Sequence, residues 1–82
     1  MARVYLKSTS LNAATYQDQS ACLELEFRSR AIYRYRDVPV QTYHDLLRAE
    51  SKGGYFNQHI RNRFAYSKID LAHSGATGDS AQ

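Results

Sequence analysis

The chain has 82 residues, 43% of them apolar, and a formal net charge of +3. That length allows one domain with one small core and no deep substrate cleft. The single cysteine, Cys22, excludes an intrachain disulfide, and no window approaches the roughly 18 apolar residues of a membrane span.

Residues 3–8 (R-V-Y-L-K-S) read as a first short strand, Ser8 to Asn12 as a bend, and Ala13 to Tyr16 as an edge segment. The polar run Gln17-Asp18-Gln19-Ser20 is a turn. Cys22 to Phe27 alternates, with Leu23, Leu25 and Phe27 on one face and Glu24 and Glu26 on the other, which is a half-buried strand. Ala31 to Arg36 is a second, rich in β-favouring Ile and Tyr.

The loop between these two strands sets their register. A three-residue loop, Arg28-Ser29-Arg30, pairs Leu25 with Tyr33, Leu23 with Tyr35 and Glu24 with Arg34. A two-residue loop would set Arg34 against Leu25 and bury charge, so the longer loop is expected. Its geometry calls for a left-handed third residue, which places Arg30 in that conformation at a cost of about 1 kcal/mol.

Pro39 suits the first turn of a helix, where its missing N–H is not needed. Tyr43, Leu46 and Leu47, with Ala49 beside them, form an apolar stripe. Gly53 and Gly54 are expected to break this helix, with Ser51 capping the next. Tyr55, Phe56, His59, Ile60 and Phe64 carry a second apolar face, and Tyr66 to Ile69 returns to the sheet. The small polar residues that follow read as a disordered tail over 71–82, which leaves 1–70 as a single domain. The fold class is therefore α+β: a small antiparallel sheet of three to four strands, packed on one face by two short helices. The expected core is Leu23, Leu25, Phe27, Tyr33, Tyr35, Tyr43, Leu46, Leu47, Phe56 and Ile60, with Val38 plugging the strand-to-helix corner.

The segment Leu23 to Pro39 (L-E-L-E-F-R-S-R-A-I-Y-R-Y-R-D-V-P) centres on Tyr33-Arg34-Tyr35 and ends in a Val38-Pro39 step. Downstream lies Ser51-x-Gly53-x-Tyr55-Phe56-Asn57-x-x-Ile60-Arg61. Together these resemble the KTSC domain over roughly residues 8 to 69. That family is named for a segment at the C-terminus of some lysyl-tRNA synthetases and also occurs as a free-standing bacterial protein. The resemblance implies RNA, tRNA included, as a partner. It departs at Arg30, where the family tends to carry Gly.

Charge is placed unevenly: residues 28–36 hold four arginines and no acid, and 51–68 hold Lys52, Arg61, Arg63 and Lys68 with no acid. The register sets Tyr33 and Tyr35 beside Leu23 and Leu25, so they read as core and not as a base-stacking platform. The Ser51-Lys52-Gly53-Gly54 turn is the stronger candidate for an anion or a nucleic-acid phosphate, because glycines opening a helix expose N–H groups there. Asn57, Arg61 and Arg63 lie on or just beyond the same helix, with Arg34 and Arg36 on the sheet as further candidates. The structural alternative is that Ser51 caps the helix while Gly53 allows close packing.

His44, His59 and Cys22 lack the spacing of a metal site, and no nucleophile elbow or paired-carboxylate pattern occurs. The expectation is a non-catalytic binding module without cofactor, metal or membrane partner. Met1 to Lys7 holds no apolar stretch resembling a signal peptide, so a cytoplasmic protein is expected. The alternative function is a protein–protein interaction adaptor docking through exposed tyrosines or an outer sheet edge.

Overall fold

The computed structural model describes residues 3–69. The end of the domain at residue 70 and the tail expected over 71–82 lie outside the described residues. Five strands form one antiparallel sheet in sequence order: β1 (Val4–Tyr5), β2 (Leu11–Gln17), β3 (Cys22–Phe27), β4 (Ile32–Tyr35) and β5 (Tyr66–Ile69). Between β4 and β5 come helix α1 (Val40–Arg48) and the single turn α2 (Lys52–Tyr55). The chain then widens into a π-type turn over Phe56–Ile60, in which the Arg61 N–H reaches back five residues to the Phe56 carbonyl at 2.8 Å. The helices cover one face of the sheet, as the α+β reading requires. The sheet has five strands where three to four were expected. No helix among the described residues is long and apolar enough to cross a membrane.

The central hairpin has the expected register: Leu25 pairs with Tyr33, Leu23 with Tyr35 and Glu24 with Arg34. Arg30 takes the left-handed conformation, φ 79°, and its N–H closes the loop onto the Phe27 carbonyl at 2.9 Å. On the outer face the Glu24 carboxylate accepts from Arg34 Nη2 at 2.7 Å, the cross-strand pair that the alternation implied.

The N-terminal third differs from the sequence reading. The expected strand over 3–8 shrinks to two residues, while the expected edge segment becomes the seven-residue β2, interior to the sheet between β1 and β3. A bulge at Asn12 separates the pairs Leu11–Phe27 and Ala13–Glu26. The extra residue puts Leu11 on the same face as Ala14 and Tyr16, where strict alternation would have sent it outward. Leu6, Leu11, Ala14 and Tyr16 thereby join the core with Leu23, Leu25, Tyr35, Val38, Tyr43, Leu46, Phe56 and Ile60. Phe27, Tyr33 and Leu47, placed in the core from sequence, pack against it only half-buried.

Val38 is the corner plug, fully buried, with its N–H bonded to the Ala21 carbonyl at 2.9 Å. Its own carbonyl accepts from the Tyr16 hydroxyl at 2.6 Å, and the Tyr16 ring stacks on Tyr43 with centroids 5.2 Å apart. Pro39 stands one residue earlier than expected, as the extended residue preceding the first helical turn.

The glycines do not break the helix. α1 ends because Ala49 turns extended (φ −65°, ψ 138°), and Gly53 and Gly54 sit inside α2, capped by the Ser51 side chain accepting from the Gly54 N–H. A serine side chain packs close against each: a Cβ on Gly53 would lie 2.9 Å from Ser10 Oγ, and one on Gly54 2.9 Å from Ser51 Oγ.

Candidate functional site

The residues singled out from sequence do not share one surface. Ser51, Lys52, Gly53, Gly54 and Asn57 line one open depression of about 770 Å³, together with residues 6–10, Arg28 and Glu50. The Gly54 N–H is bound by Ser51 Oγ and the Tyr55 N–H by the Ser51 carbonyl, while Lys52 Nζ folds back onto the Ala49 carbonyl at 2.9 Å. Lys52 therefore caps the end of α1, where a cation complements the last carbonyls. Three cations, Lys7, Arg28 and Lys52, face one acid, Glu50, so the depression is net positive.

Arg34 lies on the opposite face of the sheet, committed to Glu24. Arg36 and Arg63 are exposed and line neither this depression nor the groove described next.

Arg61 turns toward a groove of about 520 Å³ at the β4–β5 end of the helix-covered face, and Asn57 and Gly53 line it too. The sequence reading missed this groove. β5 pairs Tyr66 opposite Tyr35 and Lys68 opposite Tyr33, and directly opposite residues share a face. Three tyrosines therefore meet at this end, Tyr35 buried against Phe56 of the π-type turn and the Tyr33–Tyr66 and Tyr35–Tyr66 centroids both 5.6 Å apart. Phe27 and Phe56 lie beneath, edge to face at 5.2 Å. Tyr66 is 53% exposed and Tyr33 half-buried, so aromatic faces are open to solvent. The signal was present as matched alternation, Tyr-x-Tyr in β4 against Tyr-x-Lys in β5, but it becomes a site only once those strands are neighbours.

The groove contains no carboxylate; its polar wall is Ser10, Ser29, Asn57, Arg61 and Asn62. The Tyr35 hydroxyl is pushed up to about 12, first by burial and then by the neighbouring Tyr33 and Tyr66, with Arg61 opposing. It stays protonated at neutral pH as a hydrogen-bond donor. No serine, cysteine or carboxylate in the groove stands beside a base, so the arrangement offers aromatic surface and hydrogen-bonding groups without a nucleophile. His59, on the far side of the π-type turn, packs against Tyr55 with centroids 4.4 Å apart.

The sequence profile of the KTSC domain family matches residues 7–64. An uncharacterized protein of Stutzerimonas stutzeri is 42% identical over 71 residues, which cover 85% of this chain and all of that protein. A lysine–tRNA ligase of Nostoc sp. is 37% identical over 59 residues, covering 72% of this chain but only 10% of the ligase. The crystal structure of a KTSC domain protein from Yersinia pestis superposes with a TM-score of 0.81 at 29% identity, over 84% of this chain and 97% of that one. The chain belongs to the KTSC domain family.

Proposed function

We propose that this domain is a non-catalytic module that binds single-stranded RNA at the open tyrosine groove. The observation that carries the reading is the meeting of exposed Tyr66 and half-exposed Tyr33, backed by buried Tyr35, with Arg61 in a groove lined by no carboxylate. Unpaired bases stack on such aromatic faces for about 1–3 kcal/mol each, and every base has a face to offer. Arg61 and Lys68 supply the charge that draws a phosphate backbone. RNA is favoured because the lysine–tRNA ligase of Nostoc carries a similar segment over a tenth of its length. An accessory segment on an enzyme with a tRNA substrate serves naturally as an extra hold on RNA.

One or two stacked bases and a few ion pairs give affinities in the micromolar range or weaker. Titration of the isotope-labelled domain with single-stranded RNA at low salt should move the amide signals of Tyr33, Arg61 and Tyr66, and added salt should reverse the shifts. Silence at all three positions with millimolar RNA would sink the reading.

A protein-interaction role is the second reading. It is favoured by β5, which is an edge strand whose residues Tyr66 to Lys68 are exposed. Strand addition there would be insensitive to salt, which separates the two.

A further inference from the structure

The groove and the basic depression share three lining residues, Ser10, Gly53 and Asn57. They are two basins joined over one saddle. On one side lie aromatic faces; on the other lie Lys7, Arg28 and the hydroxyls of Thr9 and Ser10. Gly53 and Ser10 meet at the saddle, where a Cβ on Gly53 would stand 2.9 Å from Ser10 Oγ.

The depression's rim is held in place before any ligand arrives. Ser8 Oγ accepts from the N–H groups of both Ser10 and Leu11 at 3.1 Å. The Arg28 N–H donates to the Ser10 carbonyl at 2.9 Å, and its guanidinium reaches Asn12 Oδ1 at 3.3 Å. Arg28 thus keeps four guanidinium donors for a ligand, since five are available in total. The bulge at Asn12 places that acceptor beside the end of β3.

We propose that the two basins form one bipartite path for a single-stranded polynucleotide. One unpaired base enters the tyrosine groove, and the phosphates of the adjoining nucleotides cross the Gly53 saddle to Lys7 and Arg28. The inference rests on the RNA reading above and adds a direction and a phosphate subsite to it. Two chemistries at two ends explain why neither basin holds the whole recognition set. The groove has one guanidinium and the aromatics; the depression has the cations and no aromatic ring. The groove's volume, about 520 Å³, lies in the range of pockets that take one small organic group, so a single base enters and a duplex does not.

The test measures binding of a single-stranded hexanucleotide across a salt series, for the wild-type domain and two variants, with a hairpin duplex of equal length as comparison. Lys7→Ala/Arg28→Ala should weaken hexanucleotide binding roughly tenfold and flatten the log–log salt slope by about 1.4, the effect of two lost phosphate contacts on a single strand. Tyr66→Ala should weaken binding to a similar degree while leaving the salt slope as in the wild type, because stacking releases no counterions. The duplex should bind more weakly than the single strand. All three positions are exposed and outside the core, and thermal unfolding of each variant verifies that it folds. If the hexanucleotide binds but Lys7→Ala/Arg28→Ala leaves affinity and slope unchanged, the path is wrong and the groove reading survives. If the wild-type domain binds no hexanucleotide at low salt, both fall together.

Discussion

The Tyr16 hydroxyl is the polar contact on which the strand-to-helix corner depends, and Tyr16→Phe isolates it. Tyr16 is 3% exposed, and its Oη donates to the Val38 carbonyl at 2.6 Å in a fully buried setting. Burial pushes the hydroxyl's ionisation upward, and it remains a donor throughout the neutral range. Phenylalanine keeps the ring and its stacking on Tyr43, so apolar burial is nearly unchanged. What is lost is one hydrogen bond, net about 0.5–1.5 kcal/mol, and the Val38 carbonyl is left without its partner, at about 1–3 kcal/mol for a buried group. These overlap, and about 1.5 kcal/mol is the expected total. For a domain of this size that lowers Tm by about 6–12 °C. Urea unfolding followed by circular dichroism should show a lower midpoint at constant slope, since no large surface is newly exposed. A variant within 0.3 kcal/mol of wild type would refute the reasoning and mean that water or a backbone donor satisfies Val38.

Three further outcomes are expected. Arg30→Gly should raise stability by about 1 kcal/mol, because φ 79° strains any residue with a Cβ; unchanged thermal unfolding would show the strain to be negligible. Gly53→Ala should destabilise by about 1 kcal/mol, the contacts at 2.9 and 3.2 Å to Ser10 outweighing the gain in helix propensity. In a Ser10→Gly background the same change should become neutral or stabilising, which a double-mutant cycle in urea reads directly. Alkali should weaken the fold. Tyr35 ionises near 12 in the folded chain against 10.0 when unfolded, and burial raises Tyr16 and Tyr43 as well. The folded state therefore holds these protons more tightly, and the stability they contribute is complete below pH 10 and lost as pH rises toward about 12. Midpoints that stay flat across that window would contradict the burial of these hydroxyls.

Much of the fold was legible because its strongest signals are local. Leu23, Leu25 and Phe27 alternate with glutamates, and only one loop length keeps Arg34 out of the core, so the hairpin register follows from a few residues. The resemblance to the KTSC family rested on this stretch together with the Ser51 to Arg61 pattern downstream. The N-terminal third was less legible because Asn12 bulges, and one inserted residue resets the alternation for everything before it. The glycines misled for a related reason. Their usual role is to end a helix, whereas here they are small because Ser10 and the Ser51 cap press against them.

The candidate site divides along the same line. Sequence alone determined the ingredients: basic segments without acids, tyrosines at strand spacing in β4, and a cap at Ser51. It placed Tyr33 and Tyr35 on the face of Leu23 and Leu25, as the register shows. Only the tertiary structure decided that the helices stop short of the β4–β5 end, so that Tyr33 is half-exposed and Tyr66 joins it. It likewise turned Lys52 back onto Ala49, removing it from the free basic surface, whereas the pairing of Arg34 with Glu24 already followed from the hairpin register. The physical reason is range. Alternation and capping are set by neighbours a few residues apart, while exposure and charge pairing depend on which distant segments meet, here β5 arriving thirty-odd residues after the strand it joins.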